Sequence, residues 1–597
     1  MAPMVKLFVF TVVILLFVIC FCCRCIEREQ EALLQFKAGL NYSSGSFTNL
    51  SAWEKGGDCC VWDGITCDAD THYVVRVVIW LFGGGVISES LCTLTSLATI
   101  DLTDNGLTGT LPHCLGKPSS LTGLHLPLNS LSGSIPLSFG NMSSLTHLNL
   151  AENNLTGSIP SFSNLSSLYS LDLSSNQLTG SIPSSLSNLS SLISLDLSYN
   201  KLTGLNGTLP FSFSKLSSLT RLLAKRNAFN RSIASSALPS SLKELSLTFN
   251  GGETISEAFF HNLSKLEHLS LSNCIFNNSP SWIPSFQLRT LVMTSCKMDS
   301  QIPSWISTQF KLYHLELADN NLVGEIPSWL QDISLQIINL TTNHLEGRLL
   351  LSTSAWKEMA FLDVSNNALF GEIPSIWSSR MEVLSLNNNS LTGQLPKSIG
   401  NISELRVLSM RKNNFEGRVP TEIVLLKHLQ ILDLSSNCFS GLIPHGIFNL
   451  QAILVEPNQE LSRVPYILPP NNYMYKNGLK MDSKGRDENY AYIFPSMASI
   501  VLSYNQLNGA FPYDLGKLKG LKLLNLSWNN FNGTIPNSIV QMSWLESLDF
   551  STNNISEQIP SDPGTLSYLG ALNFSNNNLS GSIPQGGQMT TFTQSSF

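Results

Sequence analysis

Charge is what this sequence has least of. Of its 597 residues, 13% are charged, about half the ~25% of an average soluble protein. It has 35 Lys and Arg against 42 Asp and Glu, a net charge of −7, and no basic block. Nucleic-acid binding therefore lacks its electrostatic basis. Long apolar runs are missing too, apart from one at the amino terminus, so nothing downstream reads as a membrane span. No HExxH, GxSxG, Walker loop, GxGxxG or kinase signature occurs. The 10 histidines are scattered, with His125, His268 and His314 on separate segments. Asp172, Asp196 and Asp433 belong to a recurring pattern rather than to a carboxylate pair. Catalysis, cofactors and metal binding are not expected. With 43% hydrophobic residues the chain is not disordered. Such an uneven composition calls for a search for internal repeats.

Leu7 to Cys23 is uncharged and apolar, between Lys6 and Arg24. It reads as a signal peptide over residues 1–22, with Cys20 and Cys22 at the small positions before the cut. An uncleaved signal anchor is the alternative. Either way the remainder enters the secretory pathway.

The body is one repeated unit, L-x-L-x-x-N-x-L-x-G-x-I-P, as in LNLAENNLTGSIP from Leu148 and LDLSSNQLTGSIP from Leu171. The Asn recurs at 105, 129, 153, 176, 200, 227, 250, 320, 343, 367, 389, 413, 437, 505, 529, 553 and 577, with Cys274 and Cys296 filling the slot in between. The period is about 24 residues, within the range of roughly 20–29 of leucine-rich repeats. The L-x-L core predicts a short strand, leucines inward and x residues outward on the concave face. The Asn bends the chain and its amide can bond neighbouring coils. Cys can take that buried slot as a small residue with a weak donor, a disulfide between Cys274 and Cys296 being the minor alternative. The G-x-I-P half turns the chain onto the convex side, in short helical or 3-10 segments. One coil cannot bury its leucines alone, so stacking makes the core. The expected fold is an α/β repeat solenoid of about twenty coils, a leucine-rich-repeat superhelix with parallel strands on its concave face.

The ladder breaks between Asn437 and Asn505. Residues 455–495 are Tyr-rich and Pro-broken, with no repeat motif. Long insertions in compact folds are functional or disordered, and the clustered tyrosines favour a recognition surface. The domain division is then 1–22 signal peptide, 23–76 cap, 77–454 about sixteen repeats, 455–495 island, 496–584 four repeats, and 585–597 a carboxyl flank.

CIEREQEALLQFKAGL from Cys25, LSAW from Leu50 and DCCVWDGITC from Asp58 resemble the amino-terminal cap of plant extracellular leucine-rich-repeat proteins. Together with the L-x-G-x-I-P half and the island before four final coils, the chain is most similar to plant receptor-like proteins, receptor ectodomains without a kinase. The resemblance covers nearly the whole chain after the signal. It implies disulfides Cys25–Cys59 and Cys60–Cys67. Cys92 and Cys114 are left open as a bridge or as free thiols, and Cys438 is expected free and buried. Trp53 and Trp62 are expected in the core of the cap. Lys484-Gly485 followed by Tyr490 and Tyr492 resembles the family's island pattern, with a departure after Tyr492. GSIPQGGQMTTFTQSSF resembles the run into a second cysteine cap, acidic spacer and membrane span, so a piece of a longer receptor is expected, with a secreted decoy as the alternative. Without a second cap, Leu569, Leu572 and Phe574 are expected to stay partly uncovered.

The resemblance implies recognition of an extracellular peptide, protein or oligosaccharide at the cell surface, in defence or development, and signalling through a co-receptor kinase. A secreted inhibitor of microbial cell-wall hydrolases is the rival reading, weakened by the length of the chain and by the island. Most outward strand positions are polar, so larger or charged residues there are candidate contacts. They are Tyr199, Arg221, Lys225, Arg226 and Phe249 in one cluster and Arg406, Arg411 and Lys412 in another. Tyr473, Tyr475, Lys484, Tyr490 and Tyr492 of the island, with Tyr504 and Trp528, are candidates for the co-receptor surface. Eighteen N-x-[ST] sequons support a glycosylated chain, with Asn141, Asn154, Asn188, Asn262, Asn401 and Asn554 as candidate sites.

Overall fold

The computed structural model describes residues 25–42, 48–81, 83–117, 120–203, 211–229, 238–298, 300–349, 357–454, 479–483, 486–490, 497–560, 566–584 and 587–597. The signal segment 1–22 and most of the island lie outside them. The chain divides into two compact units, one of residues up to Leu288 with Ser295–Lys297, the other of Arg289–Thr294 with Met298–Phe597.

The first unit opens with helix Glu27–Ala38, which carries Glu27 and Glu29 in its first turn and Lys37 in its last, as the helix dipole favours. Ala32, Leu33 and Phe36 face inward and are buried. The buried Glu29 carboxylate accepts the Val74 N–H at 2.7 Å, tying the cap to the first repeat strand. Trp53 and Trp62 stack at 5.2 Å and are both buried. Cys25 is bonded to Cys59, Cys60 to Cys67, and Cys92 to Cys114. Strand Ile65–Cys67 runs antiparallel to Val74–Val78, which pairs in parallel with Thr99–Asp101. From there each L-x-L segment pairs in parallel with the next, leucine beside leucine, through Leu171↔Leu195 to Leu245↔Leu269.

The second unit repeats the pattern, for example Leu384↔Leu408 and Leu408↔Leu432. The sheet closes directly across the island: Ile431–Asp433 pairs with Ser499–Val501, Ile431 opposite Ser499. Of the island, only strands Leu479–Ser483 and Arg486–Tyr490 are described, an antiparallel hairpin with Leu479 opposite Tyr490. Tyr473, Tyr475, Lys484 and Tyr492 lie outside the described residues.

The Asn ladder has a definite chemistry. Asn129 Nδ2 donates to the carbonyls of Leu102, Leu126 and Pro127, while its Oδ1 accepts the N–H of Leu107 at 2.9 Å. One amide thus satisfies backbone groups of two coils that no sheet ladder reaches. The residue before each slot but that of Asn250 takes a left-handed backbone, from Asp104 at φ 54° to Asn576 at 57°.

The G-x-I-P half builds more than a turn. In the second unit it forms a second parallel sheet, including Ser390–Gln394, Asn414–Gly417 and Cys438–Gly441. Its glycine is left-handed, as at Gly393 with φ 83°, a conformation that costs glycine nothing. The Pro that follows caps a 3-10 segment, as Pro396 does for Lys397–Asn401.

Three expectations are corrected. Asn250 is exposed and does not join the ladder. Strand Glu244–Ile255 runs on through that slot, with Gly251 and Gly252 left-handed just beyond it. Cys438 is free but exposed, because it follows the inward Asn437 and begins an outer-sheet strand. Leu569, Leu572 and Phe574 are buried. The flank folds over that end, with Met589 buried beside them and the Phe574 N–H donating to Ser596 O at 2.6 Å. Cys274 and Cys296 are buried in the ladder and form no disulfide. A hydrogen bond with Cys296, and then burial, push the Cys274 thiol up.

Candidate ligand-binding surface

The strands that carry the candidates are held by leucines pointing inward, so their x residues form the outer face. In the first unit, Arg221 stands in register with Ser194 and Glu244. Its guanidinium is not free: Nε lies 2.9 Å from Glu244 Oε2. Arg226 stacks over the Tyr199 ring at 5.1 Å, a cation–π contact of about 0.5–1 kcal/mol at an exposed site. Tyr199 and Arg226 both occupy the left-handed position before a ladder Asn, at φ 56° and 49°. Lys225 is half-buried, its N–H donating to Ser198 Oγ at 3.3 Å. Phe249 does not belong to this surface. It is 2% exposed, buried by the strand that runs on through the missed ladder slot.

In the second unit, Arg406 pairs with Glu382 at 3.7 Å. Burial raises the Glu382 pKa and Arg406 opposes that rise. Arg411 is half-buried, with its N–H donating to Asn387 Oδ1 at 2.8 Å, and Lys412 is exposed in the left-handed position. The charge of both clusters is thus partly neutralised, and the structure does not leave two bare cationic patches.

Tyr504 and Trp528 hold the same left-handed position on adjacent coils, at φ 54° and 53°. Elsewhere it holds Asp104, Asn366 and Asn576, short polar residues that tolerate this backbone, but also Leu128, Glu152 and Lys412. Any residue with a Cβ there carries local strain of about 1–2 kcal/mol, and these two rings point outward. The two rings stack at 5.0 Å and 10°, yet remain 51% and 48% exposed. A second pair, Trp544 and Tyr568, stacks at 5.1 Å and 6°. Sequence reasoning missed this pair. The signal was present, since each residue stands three places before its strand, Ser547–Asp549 or Ala571–Asn573.

Sequence reasoning also missed an apolar row on the second unit's sheet. Val383, Val407 and Ile431 occupy outward positions in register, yet they are buried in one cluster with Met497, and Phe361 packs against it. The expectation of a polar concave face fails for these coils. Beside them Asp363 is buried, and desolvation pushes its carboxyl up to about 6 despite hydrogen bonds from Ser365. In the first unit Asp196 rises to about 6 by burial and the neighbouring Asp172.

Asn141, Asn154, Asn188, Asn262, Asn401 and Asn554 are all exposed. Among the described residues the one grouping of three possible metal ligands is Cys25, Cys59 and Cys60, and all are committed to disulfides. No described helix is long and apolar enough to cross a membrane.

Residues 26–68 match the leucine rich repeat N-terminal domain. Leucine rich repeat models match 95–155, 120–178 and 166–229, and again at 311–333, 380–402, 428–450, 520–542 and 544–566. Receptor-like protein 35 of Arabidopsis thaliana is 31% identical over 109 residues, 15% of this chain and 12% of that protein. Receptor-like protein EIX2 of Solanum lycopersicum is 36% identical over 105 residues, 15% of this chain and 10% of that protein. These matches span only a small part of each relative's length. The ectodomain of the Arabidopsis receptor kinase HAESA, solved with an extended IDA peptide hormone, superposes with a TM-score of 0.63 at 28% identity, covering 93% of this chain and 86% of that one. HAESA with IDA and the co-receptor SERK1 gives 0.61 at 28% identity, covering 94% and 95%. Cap, repeat, ladder and second sheet agree with these matches: the chain is a leucine-rich-repeat protein of the plant receptor-ectodomain type.

Proposed function

We propose that this chain is the extracellular recognition part of a plant cell-surface receptor-like protein. It binds a peptide, protein or glycan on its outer sheet faces and signals by assembling with a co-receptor kinase, without catalysis of its own. Its place is the outer side of the plasma membrane or the apoplast. The observation that carries this reading is the stacked, half-exposed Tyr504–Trp528 pair on adjacent coils, since aromatic anchors dominate interfaces. The likeness to HAESA, solved with a peptide hormone and with SERK1, supports the same assignment. Tyr199, Lys225, Arg226, Arg411 and Lys412 are assigned to ligand contact. Tyr504 and Trp528, with the island residues 455–495, are assigned to the co-receptor side, and the six exposed sequons to glycosylation. Arg221 and Arg406 serve as the paired rim of the two clusters. The domain division given by the sequence is retained.

The test is a pull-down of the secreted, glycosylated chain against extracellular peptides and co-receptor ectodomains. Wild type is compared with an island deletion and with Lys225→Glu/Arg226→Glu. Loss of ligand with the charge reversal, and of co-receptor with the deletion, is expected. Capture unchanged by both would refute the assignment.

A further inference from the structure

On the first unit's sheet, one row of outward positions runs Arg76, Thr99, Gly123 and His147, each in register with the next. Gly123 leaves a gap in that row, and the imidazole of His125 fills it: a Cβ at Gly123 would lie 3.2 Å from His125 Nε2. The His125 and His147 rings are 6.3 Å apart, and the Tyr169 ring follows 5.6 Å beyond His147. Side chains of Arg76, His125, His147 and Tyr169, from four separate coils, thus come together along the row.

The orientation of His147 is determined by its neighbours. Thr146 has one hydroxyl proton, and it goes to the Thr122 carbonyl at 2.8 Å. The same oxygen lies 2.9 Å from His147 Nδ1, so it accepts from Nδ1–H. That leaves Nε2 to take up a proton or a ligand's hydrogen bond. Arg76 and His147 are exposed, and Tyr169 is half exposed. Among the described residues Arg76 makes no ion pair.

The charged groups acting on His125 are Asp101, His147 and Arg76. Burial lowers its pKa most, Asp101 raises it, and the two cations lower it. Asp101 is already engaged, its Oδ1 accepting the Thr103 N–H at 3.1 Å and hydroxyl at 2.6 Å. The row therefore holds one permanent cation and two imidazoles that become cations on protonation.

We propose that Arg76, His125, His147 and Tyr169 form a binding site for an acidic, extended peptide, weak near neutral pH and strong once the imidazoles are protonated. Strand spacing puts Arg76 about 14 Å from His147, which an extended peptide crosses in about four residues. Its carboxylates meet Arg76 at one end and the imidazole pair at the other. An acidic saccharide fits less well, since these rings tilt by 35° and 37° from one another and offer no coplanar pair for a sugar face to stack on. The inference rests on the recognition reading of the sheet face and names one ligand chemistry for it.

The test titrates the full chain with an oligo-aspartate peptide, an oligo-asparagine control and an oligomer of galacturonic acid, at pH 5.0 and 7.5. Oligo-aspartate is expected to bind at pH 5.0, at least about tenfold more weakly at 7.5, and not as the asparagine form. Arg76→Gln and His147→Gln should each abolish the pH 5.0 binding while keeping the wild-type melting temperature, since both positions are exposed. His147→Lys should restore binding at pH 7.5. Asp196→Asn separates the imidazoles from the first unit's buried carboxylate with a pKa of about 6, and should leave the pH dependence intact. Equal affinity at both pH values, indifference to Arg76→Gln, or loss of pH dependence in Asp196→Asn would overturn the proposal. Preference for the galacturonate oligomer would overturn its peptide assignment. Ligand capture that survives here but fails in the island and Lys225/Arg226 experiment, or the reverse, tells the two claims apart.

Discussion

Replacing Asn343 by Ala tests the ladder at full strength. Nδ2 of Asn343 donates to the carbonyls of Leu317, Leu340 and Thr341 at 2.8, 3.0 and 3.2 Å. Its Oδ1 accepts the N–H groups of Asn320 and Leu322, both at 3.0 Å. Alanine leaves those two buried donors with no partner, each costing about 1–3 kcal/mol, while carbonyls tolerate the loss better. The expected local cost is about 3–5 kcal/mol. Unfolding of repeat arrays is not reliably two-state, so the sound measurement is amide exchange. Protection of Leu322 and Asn320 should fall by at least about a hundredfold, spreading to adjacent coils and fading with distance. Asn250→Ala is the matched control. That side chain is exposed, and its loss should stay within about 0.5 kcal/mol. Asn343→Ala with protection within threefold of wild type would refute the reasoning, as would equal damage from Asn250→Ala.

Three other perturbations separate stability from recognition. Asp363 has its carboxyl raised to about 6, so the folded state prefers the proton. Stability is fully present below the unfolded value near 3.8 and is lost as pH rises through 6. The loss is up to about 3 kcal/mol. Asp363→Asn keeps the acceptor for the Ser365 N–H and should raise the melting temperature at pH 7 but not at pH 4; a parallel shift at both contradicts this. Cys92→Ser with Cys114→Ser opens a link of sequence separation 22 and should cost about 3 kcal/mol, read as a lower melting temperature than wild type without reductant. Trp528→Ala should weaken co-receptor capture by about thirtyfold while its stability cost stays near that of one aromatic contact, about 0.5–1.5 kcal/mol; unchanged capture in a surface titration removes it from the interface.

Much of this was written in local spacing. The L-x-L pair, the slot Asn and the Pro that starts each 3-10 segment act over a few residues, and their period fixes the parallel register. The cap was legible through its motifs, and its disulfides came only by resemblance. The second sheet was not, because N-x-L-x-G reads as a turn until neighbouring coils supply partners for its backbone. Asn250 fits the pattern by position, yet strand Glu244–Ile255 finds register with Thr254↔Ile275 beyond the slot and carries it outward.

The candidate surface divides in the same way. Tyr504 and Trp528 could be picked from sequence because both stand one place before a ladder Asn. Arg221 and Arg406 could also be picked, but not their ion pairs with Glu244 and Glu382. Those partners lie one coil away and meet them only in the sheet.

The sequence alone determined a repeating coil, its inward leucines, its amide ladder and a low charge. These follow from interactions within one coil, or from its identical repetition. Tertiary structure decided which outward residues are surface at all: it buried Phe249, Val383, Val407 and Ile431, paired the arginines, and brought Arg76, His125, His147 and Tyr169 into line. Exposure and charge at an outward position depend on what adjacent coils place beside it, and the pattern of a single coil carries no information about that.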